Sequence, residues 1–152
     1  STLVLSRQGL PELDRTGPCT PATGARNGAY VLSDCDGTPE AIIIASGSEI
    51  TLALQAQESL KAEGKNIRVV SMPSWELFRA ASADYKESVL PKAIKARLAV
   101  EAGATFGWER WVGDEGDILG VDRFGTSAPA DRIFQEYGFT VDNVVSKVKA
   151  LL

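Results

Sequence analysis

The chain contains no histidine. Histidine is the side chain that titrates near neutral pH without help, so it is the usual general base and a frequent metal ligand. Its absence excludes a Ser-His-Asp or Cys-His mechanism within these residues, and any site with imidazole ligands. Cysteine is scarce as well. Cys19 and Cys35 form neither a CxxC pair nor a metal-ligand cluster, and reduced thiols in a cytosolic protein are the expectation. An excess of positive charge is also missing. With 16 Lys and Arg against 20 Asp and Glu, the formal net charge is −4, which argues against a nucleic-acid or anionic-membrane partner. No apolar run approaches the roughly 18 residues of a membrane span. The opening LVLS is too short for a signal peptide, so a cytoplasmic location is expected.

What is present is ordinary globular composition, 44% hydrophobic and 24% charged over 152 residues, long enough to bury a proper core. The chain is organised around Ala41 to Leu60, AIIIASGSEITLALQAQESL. Three consecutive isoleucines in a short apolar run predict a strand covered on both faces. Leu52, Ala53, Ala56 and Leu60 then recur at helical intervals, with Gly64 as a stop. Between them, Ser46-Gly47-Ser48-Glu49 has the spacing of a capping box. The turn reads as plain capping, with an anion cradle at a helix N-terminus as the functional alternative.

Further elements follow in order. Thr2 to Ser6 reads as a short strand, the last of a preceding domain, ahead of a Pro-, Gly- and Thr-rich linker from Glu12 to Gly28. Ala29 to Leu32 is expected to pair with Ala41 to Ala45 as an antiparallel hairpin around Asp36-Gly37. Strands are predicted at Ile67 to Ser71, Arg97 to Glu101 and Asp117 to Val121. Short helices are predicted near Trp75 to Phe78, Asp84 to Val89 and Thr105 to Trp111. Ser127, with Pro129 at an early helical position, starts a helix through Tyr137 that Gly138 ends, and Thr140 caps a last helix with Val141, Val144, Val145, Val148 and Leu152 in one stripe. Such alternation predicts an α/β fold, a three-layer α/β/α sandwich on a mixed sheet with one antiparallel strand.

Chemistry is thin. Gly113 to Gly116 has neither phosphate-loop nor dinucleotide spacing, and Asp114, Glu115 and Asp117 lack the ligand spacing of a calcium loop. Trp108 and Trp111, one helical turn apart, read as packing residues with an aromatic box as the alternative. Glu101 ends a predicted parallel strand, where α/β folds place ligand-binding residues, but it has no partner base. Arg7 ends the first strand, and its planar fork suits bidentate phosphate binding.

Six segments in order resemble the C-terminal portion of the transketolase family: LVLSRQGLP, IIIASGSEITLAL, RVVSMPSWELF, YKESVLP, FGWERW and RFGTSAPADRIFQEYGFT. Together they cover nearly the whole chain. Ser46 stands where the family has threonine, and Gly9 where it has asparagine after the SRQ segment. The resemblance implies a five-stranded mixed sheet. It divides the chain into residues 1–28, the end of the preceding domain and its linker, and residues 29–152, the C-terminal domain. It also implies an enzyme that moves a two-carbon ketol unit between sugar phosphates in the pentose phosphate pathway, as a homodimer. Thiamine diphosphate and a divalent metal, magnesium or calcium, are implied for the upstream domains of the full-length enzyme, with none bound by this stretch. Arg7 matches a family position that contacts the substrate phosphate, and no catalytic residue matches. The alternatives are the equivalent domain of a 2-oxo-acid dehydrogenase β subunit or of deoxyxylulose phosphate synthase, or a freestanding anion-binding module.

Overall fold

The computed structural model describes residues 9–152. Arg7 and the strand expected at Thr2 to Ser6 lie outside the described residues. Five strands and six α-helices follow: β1 Tyr30–Ser33, β2 Ala41–Ala45, α1 Glu49–Ala62, β3 Ile67–Ser71, α2 Trp75–Ala80, α3 Ala83–Val89, β4 Arg97–Val100, α4 Glu109–Val112, β5 Asp117–Leu119, α5 Ala130–Glu136 and α6 Val141–Leu151. The sheet order is β1-β3-β2-β4-β5. Strands β3, β2, β4 and β5 are parallel neighbours, and β1 is the one antiparallel strand.

The isoleucine run forms the middle of this sheet because both of its faces are apolar. Ala41, Ile43 and Ala45 join one core with α1 and α6, while Ile42 and Ile44 join the other with α2, α3 and α4. All five residues are buried. Each buried isoleucine contributes about 1.5–3 kcal/mol relative to exposure. The same period of two divides Leu98 and Val100 from Ala99, and Val69 from Val70. Helices therefore cover both faces, and the sandwich has three layers.

One expected pairing is overturned. β1 does not form a hairpin with β2; it pairs with β3, at Tyr30–Ser71 and Val31–Val70. Both edges of β2 are taken by parallel partners, β3 over five residue pairs and β4 over four. The loop of residues 34–40 crosses the end of β3, a span of about 10 Å or two strand spacings. An Asp-Gly turn signals a reversal of the chain, but it does not name the strand that receives it.

The stretch expected to be a linker outside the core also departs from that reading. Cys19 is 5% exposed within the α1 core, and Leu13 and Ala25 pack against that core. The Thr20 amide and hydroxyl donate to the carbonyls of Leu32 and Val31 at 2.8 and 2.7 Å. A 3-10 helix spans Ala22–Asn27 and ends at Gly28, whose φ of 84° suits glycine. A Cβ there would lie 2.1 Å from the Phe78 amide nitrogen. The Gly28 carbonyl also accepts from the Ser74 amide at 2.9 Å, so the segment is docked onto α2.

Candidate functional site

In an open α/β sheet, ligands bind at the carboxyl ends of the strands where neighbouring connections leave in opposite directions. Here that point lies between β2 and β4. From β2 the chain passes through α1 to β3 on one side, and from β4 it passes through α4 to β5 on the other. Ser46 follows β2 and Glu101 follows β4. Their side chains meet, with the Ser46 hydroxyl donating to Glu101 Oε2 at 2.7 Å.

A cavity of about 350 Å³ opens at this point, with Ser46, Glu101, Trp75, Trp108, Glu76 and Gly103 in its wall. Trp75 starts α2, and Trp108 precedes α4. Their rings meet edge to face at 5.0 Å, and Gly107 lies so close to Trp75 that a Cβ would come within 2.8 Å of its ring. Burial pushes the Glu101 carboxyl above the ordinary value of 4.5; the Ser46 hydrogen bond opposes this, and the charge of Glu49 adds to it. Glu49 itself is 4% exposed in the first turn of α1. No ion pair to Glu101 forms among the described residues.

The geometry revises several expectations. The capping box is not formed. Ser48 makes no side-chain cap bond to α1, its hydroxyl going to Glu49 instead, and the Ser46 hydroxyl goes to Glu101. The chain's own carboxylates thus stand around the start of α1, and an anion would meet repulsion there. This overturns the anion cradle.

Trp108 and Trp111 are both buried but do not pair. Trp108 pairs with Trp75, and Trp111 meets Phe78 at 5.4 Å, its Nε1 buried without a partner. Asp114 and Glu115 are exposed, whereas Asp117 accepts from Lys147 at 2.7 Å, so the three do not converge. Among the described residues no group of three His, Cys, Asp or Glu is placed to hold a metal. Cys19 and Cys35 are free thiols, and no described helix is long and apolar enough to cross a membrane. Glu76 was missed as a site residue, and Trp75, read with Phe78 as a packing residue, lines the cavity instead. Their signal was position alone, directly after the carboxyl end of a parallel strand.

Residues 28–140 match the transketolase-like TK C-terminal domain. The chain belongs to that family. A transketolase of Geobacillus stearothermophilus is 54% identical over 153 residues, covering 100% of this chain and 23% of that relative. A Bacillus subtilis transketolase is 52% identical with the same coverage. Among solved structures, Pichia stipitis transketolase in complex with sedoheptulose-7-phosphate superposes with a TM-score of 0.84 at 34% identity. That match takes in 95% of this chain and 20% of the other. Leishmania mexicana transketolase gives 0.78 at 39% identity, over 85% of this chain and 18% of the other. The transketolase C-terminal domain is thus preferred to its counterparts in 2-oxo-acid dehydrogenases and deoxyxylulose phosphate synthase, and its five-stranded mixed sheet is the one expected. The chain spans about a quarter of the length of the curated relatives it matches, 23% in the first of them.

Proposed function

We propose that this chain serves as the C-terminal domain of a cytoplasmic, homodimeric transketolase that moves a two-carbon ketol unit between sugar phosphates. The observation that carries this reading is the 54% identity to a transketolase across the whole chain. Thiamine diphosphate and its divalent metal are assigned to the upstream domains. No group of three His, Cys, Asp or Glu among the described residues is placed to hold that metal. Residues 1–28 carry the end of the preceding domain and a connection that packs against the C-terminal domain through Cys19, and the family match starts at residue 28. The chain's own part is scaffold and contact surface, with Arg7 as the group that reaches substrate.

Arg7 supplies orientation and binding rather than a chemical step. A bidentate charged contact to a phosphate is worth about 1.5–3 kcal/mol. In the full-length enzyme Arg7→Ala should therefore raise KM for phosphorylated ketoses by about 10-fold to 150-fold. Unphosphorylated substrates should be little affected, and an equal loss on both classes would refute the assignment. Purified upstream domains, assayed for ketol transfer and dimer stability with and without residues 1–152, test the rest. Full activity and unchanged dimerisation without the chain would remove its supporting role.

A further inference from the structure

We propose that the switch-point cavity binds an organic cation, an ammonium or guanidinium group carried on an apolar stem. Both serine hydroxyls of its wall donate to carboxylates. The Ser46 hydroxyl hydrogen is given to Glu101 at 2.7 Å and the Ser74 hydroxyl hydrogen to Glu76 at 3.3 Å. The side-chain oxygens left free are therefore acceptors, and they favour a ligand that brings donors. Among the described residues no Lys or Arg lines the cavity. A phosphate or nucleotide, the usual occupant of this position in doubly wound folds, would face uncompensated carboxylates.

The apolar part of the wall points the same way. Trp75 and Trp108 line the cavity with their rings in edge-to-face contact, and Gly107 packs closely against the Trp75 ring. Indole rings attract cations, more strongly where water is partly excluded. Glu101 has no basic partner among the described residues and lies near the buried Glu49, so a bound cation meets charge that the described fold leaves unneutralised. About 350 Å³ suits a small amine, at the lower end of ligand sites. The same chemistry has two sources, a free amine or a Lys or Arg side chain from elsewhere in a longer polypeptide. The inference stands apart from the ketol-transfer reading, which Arg7 tests separately.

Agmatine, which carries both head groups on an aliphatic stem, is the probe. It is titrated into the 152-residue chain and followed by NMR at the Gly103 and Ala104 amides and the Trp75 indole. Saturable shifts are expected with agmatine and not with inorganic phosphate. Glu101→Gln keeps an acceptor for Ser46 and should weaken binding about 10-fold. Glu115→Gln, in an exposed loop, should leave it unchanged. A repeat on the full-length protein separates the sources: a retained titration means a free amine, and a titration lost only there means a side chain in the cavity. Absence of saturable shifts in the chain, an equal response to phosphate, or equal losses in the two variants would overturn the proposal.

Discussion

Removal of the Ser46 hydroxyl should destabilise the domain in a way that depends on pH. In the native fold this hydroxyl is the side-chain donor to Glu101, at 2.7 Å, and burial and the charge of Glu49 both disfavour the ionised carboxylate. A hydrogen bond to a charged group is worth about 1.5–3 kcal/mol when buried. Glu101 is partly exposed, so water replaces some of the loss, and Ser46→Ala should cost about 1 kcal/mol near neutral pH.

The sign with pH follows from linkage. The folded-state value of Glu101 is raised above 4.5, so the native state holds the proton more tightly than the unfolded chain. The contribution of this group to stability therefore falls as pH rises from about 4.5 through the raised folded value, and it is constant above that. Loss of the Ser46 bond raises the folded value further. The cost of Ser46→Ala should then be greatest near neutrality and shrink to a few tenths of a kcal/mol below pH about 4, where Glu101 is protonated in both states. Urea denaturation at the two pH values measures it, with Glu101→Gln as a background in which the pH dependence should vanish. An equal cost at both pH values, or an unchanged pH dependence in that background, would refute the reasoning.

Arg97 donates to four carbonyls, those of Ile94, Trp111, Leu90 and Pro91, at 2.8–3.2 Å. Arg97→Met should cost about 3 kcal/mol, and Arg97→Lys nearly as much because a single ammonium cannot span them; urea midpoints decide, with a loss under about 1 kcal/mol counting against the account. Gly28→Ala combines a left-handed backbone with a Cβ driven into the Phe78 amide, and should lower stability by about 3 kcal/mol or more. Gly37→Ala shares the positive φ with nothing within 4 Å, so a similar loss at both positions would mean that the backbone conformation, not the clash, dominates.

By itself the sequence determined the elements and the family. The isoleucine run, Pro129, the Thr140 cap and the Val144–Val148 stripe each carry a local signal: burial on both faces, a fixed φ, a hydroxyl one turn ahead of a free amide, or a repeat of four. Each is read from residues less than two helical turns apart. The absence of histidine excluded whole classes of mechanism in the same way. The tertiary structure decided which strand β1 pairs with, that Cys19 and Gly28 belong to the packed domain, and that Ser46 serves Glu101 rather than capping α1. These depend on contacts between residues that are far apart in the chain, and no local pattern encodes them. Ser46 and Glu101 are 55 positions apart and are joined because β2 and β4 lie side by side in register. Trp75 meets Trp108, and not the nearer Trp111, for a related reason: the segments after β3 and β4 come together over one face of the sheet.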